Sequence, residues 1–372
     1  MKYLINNWWR SVDQKIVIAI SILMSIGLLL VITSSERAAN NMHLNKNYFI
    51  IRHVIFLGIA LVLMFILSNV RQQTLRRISL LGLIFNIIIL AIIVFYGREV
   101  KGAKRWISIF NISYQASEII RPFFFVVVSK ILSLDEYTLR VRIYVVSILY
   151  FILAFLIIIQ PDFGMLVIIT IVFVILLFVA GIPIMWFVIS VMLSVVVFMA
   201  SYFMFPHISQ RINKYIYPQY HDNYQVKQSL ASFYNGSIFG KGPGEGEFKR
   251  YLPDSHTDFI FAVSGEEFGV FISLIIILCF AFITIYVLLK AYKEENNFVK
   301  LTLLSIISNF GIQSCINIGV TLDLLPTKGM TLPFISYGGS SLIARSIEFG
   351  IILALTKTKT SLIKYKILNS ID

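Results

Sequence analysis

Residues 16–34, IVIAISILMSIGLLLVITS, carry no charged side chain between Lys15 and Glu36. At 1.5 Å of rise per helical residue, such a run is long enough to cross a hydrocarbon core of about 30 Å. It exceeds the apolar core of a signal peptide and no small-residue cleavage site follows it, so it reads as a retained first span. Apolar blocks of similar length recur along the chain. Taken in order they predict ten helical spans, near 16–35, 48–69, 78–97, 118–134, 142–160, 163–181, 183–205, 258–288, 300–323 and 339–356. The expected fold is an all-α, polytopic membrane protein in one integral-membrane domain over 1–372.

Composition agrees with that reading. Of 372 residues 58% are hydrophobic and 14% charged, and the mean hydropathy is +0.83. These values leave no room for a large water-soluble domain. Lys2, Arg10 and Lys15, then Arg71, Arg76 and Arg77, Lys130, Arg140 and Arg142, Lys290, Lys293 and Lys300, and finally Lys357, Lys359, Lys364 and Lys366 all fall on one side of the predicted spans. The positive-inside bias makes that side the cytoplasm, with an N-terminal segment 1–15 and a C-terminal tail 357–372 both in it. The opposite side receives 36–47, 98–117, the turn 160–162, a large loop 206–257 between spans seven and eight, and 324–338. The net charge of +13 is scattered through short loops without a dense basic arm, which points to membrane lipids or an anionic lipid-linked substrate and away from nucleic acid. Cys279 and Cys315 lie inside apolar blocks and form neither a disulfide framework nor a zinc site.

Two outer loops break the charge rule. Arg98, Lys101, Lys104 and Arg105 crowd the first, and Arg211, Lys214, Lys227, Lys241, Lys249 and Arg250 punctuate the second. Either an anion is held there or lipid headgroups satisfy the cations. Residues 211–220 (RINKYIYPQY) have the amphipathic pattern of a helix lying flat on a membrane. Glycines crowd 234–246 (YNGSIFGKGPGEG), where backbone can turn or approach a neighbour closely, but Lys241 is followed by Gly242 and Pro243, which excludes a nucleotide-binding P-loop.

Ionisable residues at membrane depth are costly and call for a partner, a cavity or a substrate. In 252–269 (LPDSHTDFIFAVSGEEFG) Asp258 is expected in the first turn of the eighth span, as a cap for the helix or as a general base near the membrane surface. His256 reads as its hydrogen-bonding neighbour. Glu266 and Glu267 point about 100° apart and cannot share one site, and Glu267 is expected to form a buried bridge with Arg345, which lies a turn before Glu348. Lys104, Arg105 and Trp106, with Gln115, Ser117, Glu118 and Arg121, form a second polar cluster, in which Glu118 and Arg121 are either an i, i+3 ion pair or a cavity wall. Residues 325–341 (LPTKGMTLPFISYGGSS) cannot form a clean span and should line the same cavity as Asp258.

Six ordered segments, KGAKRW (101–106), QASE (115–118), QPDFG (160–164), YQVKQS (224–229), HTDFIFAVSGEEFG (256–269) and LPFISYGGSS (332–341), resemble the successive motifs of the SEDS family of polytopic peptidoglycan glycosyltransferases. PTKG (326–329) and GPGEG (242–246) resemble its cell-division branch more than its elongation branch. Ala116 stands where the family often has proline, and Arg121 where it often has lysine. The resemblance implies polymerisation of lipid II on the outer face of the bacterial cytoplasmic membrane, at the division septum. It makes Asp258 the catalytic base, with Lys104, Arg105, Arg121 and Lys241 stabilising the pyrophosphate leaving group. Substrate contact is implied for Trp106, Gln115, Ser117, Glu118, Gln228, His256, Lys328 and Ser336. No cofactor is called for, and a divalent cation on the pyrophosphate is left open. The chain offers no Ser/Lys acyl-transfer centre, so crosslinking falls to a partner, which the resemblance implies to be a class B penicillin-binding protein alongside other division proteins. A lipid II flippase with a cavity open to both sides, and an elongation-type polymerase, are the alternatives.

Overall fold

A computed structural model of the chain describes residues 2–100, 103–109, 112–183 and 224–357 throughout, with scattered positions between 184 and 223. The expected seventh span, the amphipathic stretch 211–220 and most of the tail 357–372 fall largely outside the described residues. Among the continuously described residues the helices are α1 (Lys2–Ser11), α2 (Gln14–Asn41), α3 (Tyr48–Ser68), α4 (Gln72–Tyr96), α5 (Ala116–Leu132), α6 (Leu139–Ile159), α7 (Phe163–Val179), α8 (Tyr224–Gly236), α9 (Ile260–Lys293), α10 (Asn297–Thr321) and α11 (Gly339–Leu355). Six of them, α2, α3, α4, α6, α9 and α10, are long and apolar enough to cross a membrane. The chain is a multi-pass helical membrane protein.

Polarity sorts the helices into layers. α3 and α6 bury 22% of their most apolar window and α10 buries 61%, so the former face lipid and the latter is central. α5 and α11 carry Glu118, Arg121, Arg345 and Glu348, and all four are buried. A charge in a spanning helix must point into the bundle, where partners replace water.

The ends richest in Lys and Arg meet at one pole. Trp8 Nε1 donates to Ser68 Oγ (2.7 Å), Lys290 pairs with Asp13, the Arg76 guanidinium lies 4.1 Å from the Phe298 ring centre, and Lys357 Nζ reaches Asn69 Oδ1 at 2.9 Å.

Two features correct the sequence reading. The loop expected over 98–117 contains an antiparallel sheet of three strands, β1 (Arg98–Val100), β2 (Ala103–Ile109) and β3 (Ile112–Tyr114), in that order. Arg98 pairs with Trp106 and Ile107 with Tyr114. Alternation of side chains along a strand puts Arg105 and Ile107 on one face of β2 and Lys104, Trp106 and Ser108 on the other. Ile107 and Tyr114 pack on the core, and the Tyr114 hydroxyl fixes β3 to α4 through Asn86 Oδ1 (2.6 Å).

The second correction is in α9, which is two helices. At Gly269 the backbone adopts φ 71°, ψ −169°, a region open essentially to glycine alone. The short first segment, 260–268, is almost wholly buried, whereas the 270–293 segment spans. The break orphans backbone groups that 237–242 takes up: Lys241 and Gly242 N–H donate to the Glu266 and Glu267 carbonyls at 3.0 Å each, and the Ser237 and Ile238 carbonyls accept from Val270 and Phe271. The glycine-rich stretch is thus a backbone patch over a broken helix, as membrane depth demands.

Candidate active site

At the pole opposite the basic one, three irregular segments converge. The turn 251–259 is built on Asp254, whose carbonyl accepts from Thr257 N–H (3.0 Å), Phe259 N–H (3.3 Å) and Thr257 Oγ1 (3.2 Å). It delivers Asp258 just ahead of α9, whose cap position is Phe259. Asp258 therefore precedes the helix and does not occupy its first turn, the position the sequence predicts. Its side chain is half-buried and its Oδ2 lies against Gly329, where an added Cβ would come within 2.7 Å of it.

Lys328, the preceding residue, sends its ammonium across Gly164 at the start of α7, where a Cβ would lie 1.3 Å from Nζ. Two glycines thus admit a carboxylate and an ammonium to the same crowded corner. Asp162, two residues before Gly164, accepts from Ser117 Oγ at the start of α5 (2.9 Å). Arg105 donates to the Pro161 and Gln160 carbonyls, the latter at 3.2 Å, and draws β2 onto the same turn. Gln115 is joined to α11 through its N–H, which donates to Ser340 Oγ (3.0 Å).

Below this corner runs a buried polar network along one face of α10. Asn309, Gln313 and Asn317 recur at i, i+4, i+8 and so point the same way. Arg121 Nη1 donates to Asn309 Oδ1 (3.2 Å) and Gln313 Oε1 (2.7 Å). Arg345 pairs with Glu348 and also donates to Gln313 Oε1 (3.2 Å), and Asn309 Nδ2 donates to Glu348 Oε1 (2.6 Å). Gln313 Nε2 holds the Thr331 carbonyl (2.8 Å). Asn317 Nδ2 donates to the carbonyls of Asp258 (2.9 Å) and Met330 (2.5 Å).

This geometry corrects several expectations. Glu267 does not bridge to Arg345: it pairs with Lys249, because the break at Gly269 turns the carboxylate toward the outer loop. Its neighbour Glu266 accepts from the Glu247, Phe248 and Lys249 N–H groups (2.7, 2.8 and 3.0 Å) and from Asn235 Nδ2. Arg121 neither pairs through its side chain with Glu118 among the described residues nor lines an open cavity. It is fully buried and its Nε meets only the Glu118 carbonyl oxygen (3.3 Å). Ser336 is consumed in structure, donating to the Thr257 carbonyl (2.6 Å) and accepting from Leu332 N–H (2.7 Å). The His256 ring is buried between Phe49 and Tyr337, at centroid distances of 5.0 and 5.7 Å, and this burial pushes its pKa down to about 4 against a smaller opposing pull from Asp254. At neutral pH it is uncharged and a weak base.

Lys104 and Lys241 are exposed and Trp106 is half-buried. Lys241 lies beside Glu266, roughly 9 Å along the helix from the Asp258 turn. Gln228 is half-buried on α8, its Oε1 meeting no hydrogen-bond partner among the described residues. Among those residues no three His, Cys, Asp or Glu side chains converge as a metal site. Asn309, Gln313 and Asn317 are functional positions that the sequence motifs do not mark, while Lys249 stands in the sequence only as one of the outer-loop cations and Asp162 only within the 160–162 turn and the QPDFG motif. The three amides at i+4 spacing inside an apolar span were the available signal.

The family model for cell cycle proteins of the FtsW, RodA and SpoVE group matches residues 13–361. The chain belongs to this family. Within the SEDS family its relatives include the probable peptidoglycan glycosyltransferase FtsW of Caulobacter vibrioides, 36% identical over 95% of this chain and 91% of that protein. The protein of the same name from Coxiella burnetii is 34% identical over 93% and 96% of the two chains. Among solved structures, a chain from work on the structural coordination of polymerization and crosslinking by a peptidoglycan synthase complex superposes with a TM-score of 0.77, at 22% identity, over 93% of this chain and 98% of that one. The rod shape determining protein RodA of Thermus thermophilus superposes at 0.67, also at 22% identity, over 93% and 97%. These neighbours share the SEDS fold.

Proposed function

We propose that the protein is a peptidoglycan glycosyltransferase of the FtsW type that polymerises lipid II, with Asp258 as general base. The observation that carries the reading is a half-buried carboxylate set against Gly329, next to the ammonium-bearing Lys328, at the pole away from the basic helix ends. Asp258 takes the proton of an acceptor sugar hydroxyl. The freed oxygen attacks the donor's anomeric carbon as the bond to the diphosphate breaks, and the lipid diphosphate departs with the electron pair. Lys328, whose ammonium is held across Gly164, supplies positive charge for that leaving group without reorganising, and the exposed Lys104 on the sheet adds to the positive field from the rim.

The basic pole faces the cytoplasm and the site opens outward, in a bacterial inner membrane and at the septum. Relatives named FtsW over nine-tenths of the chain favour the division role over the elongation role. The partners are lipid II, a class B penicillin-binding protein that crosslinks the strands, and other division proteins.

Purified protein with lipid II tests the reaction directly. Asp258→Ala and Asp258→Asn are expected to lower polymer formation by about 100-fold or more, the range of general-base loss, with folding intact by thermal unfolding. Polymer at the parent rate from either variant rejects the assignment.

A further inference from the structure

We propose that Asn317 is a positioning residue for the transferase reaction: its single amide group clamps the backbone of Asp258 to the backbone of Met330 and so sets the distance between base and cation. The inference rests on the function proposed above.

The two segments that face each other at the site are irregular and come from distant parts of the sequence. The first is the turn carrying Asp258. The second is the stretch 326–331 carrying Lys328 and Gly329. Each needs a partner for its backbone, because a carbonyl buried away from water without one is costly. Asn317 Nδ2 meets both needs at once, at 2.9 Å to the Asp258 carbonyl and 2.5 Å to the Met330 carbonyl. Both acceptors are carbonyl oxygens, so the amide can be oriented only with its NH2 toward them.

Asn317 is 1% exposed. Its Oδ1 is buried without a hydrogen-bond partner among the described residues, a cost that the two donor bonds offset. The clamp is backed by rigid structure, since Gln313 one turn earlier holds the Thr331 carbonyl and itself accepts from Arg121 and Arg345. Thr331 Oγ1 in turn lies 2.7 Å from Ser341 Oγ at the start of α11. The stretch behind Lys328 is therefore fastened at two consecutive carbonyls, Met330 and Thr331, and only the Met330 bond is shared with Asp258. A base misplaced by about 1 Å costs on the order of 100-fold in rate.

The test is steady-state polymerisation of lipid II by the full chain, with active-site concentration normalised to folded protein. Asn317→Leu, close in volume and without a donor, is expected to lower kcat about 10- to 100-fold while KM stays within about twofold, because bulk substrate contacts are untouched. Asn317→Ser, whose hydroxyl spans one carbonyl and not two, is expected to lose at least about fivefold in kcat and decides the matter where the leucine variant does not fold. In an Asp258→Ala background the residual rate should fall no further on adding either change, since the clamp acts through that carboxylate. Unchanged kcat in the folded serine variant, or a loss confined to KM, overturns the inference. Asp258→Ala at the parent rate overturns instead the function on which it rests.

Discussion

Asp258 and His256 stand two residues apart and end in opposite surroundings. The aspartate is half-open beside Gly329, and the histidine ring is sealed between Phe49 and Tyr337. With its pKa pushed down to about 4 by burial, His256 takes up its proton more readily in the unfolded chain than in the folded one. Its contribution to stability is therefore complete above about pH 6.5 and is lost as pH falls from there through 4. Thermal unfolding in detergent between pH 7 and 4 should show an acid-dependent loss that His256→Phe reduces, by about 1.4 kcal/mol for each unit of displaced pKa. An identical pH slope in the two proteins would place the acid sensitivity elsewhere. At this scale the residue types were legible and their partners were not. Asp258, Lys328 and Ser117 all stood out in sequence, whereas Glu267 with Lys249, and Arg121 with Asn309 and Gln313, join residues that no helical spacing relates.

The break in α9 governs how these partners are dealt out. Because 260–268 is a separate buried segment, its two glutamates fall level with 247–249 of the outer loop and tie that loop down, while the spanning part begins only at Val270. Gly269→Ala would force an L side chain into φ 71°, ψ −169° and bring its Cβ within 2.3 Å of the Ile238 carbonyl oxygen. A loss of roughly 1–3 kcal/mol or more is expected, read as a lower unfolding temperature together with increased proteolysis in 237–250. An alanine variant as stable as the parent would mean that the helix runs through the position. Periodicity alone could not find this break, since apolar residues continue on both sides of it. The sheet over 98–114 escaped for a related reason, because strands of three to seven residues give too few alternations to stand out from a basic loop.

For the molecule as a whole, the two poles make the orientation testable by chemistry. Cys279 and Cys315 lie within spans, so a membrane-impermeant thiol reagent should give little background. In intact cells Lys104→Cys and Lys241→Cys are expected to label at once, and Lys293→Cys only after permeabilisation; the reverse pattern would invert the proposed topology. The sequence by itself determined that the chain is a multi-pass helical membrane protein, which helix ends share a pole, and that 252–269 and 325–341 carry the polar residues of interest. It could do so because hydropathy, charge bias and the ban on exposed backbone in hydrocarbon act locally along the chain. Only the tertiary structure decided that Asp258 lies against Gly329, that Arg121 belongs to an internal network and that one amide on α10 joins both sides of the site. Those outcomes depend on helix breaks and on contacts between segments far apart in the chain, and no local pattern encodes them.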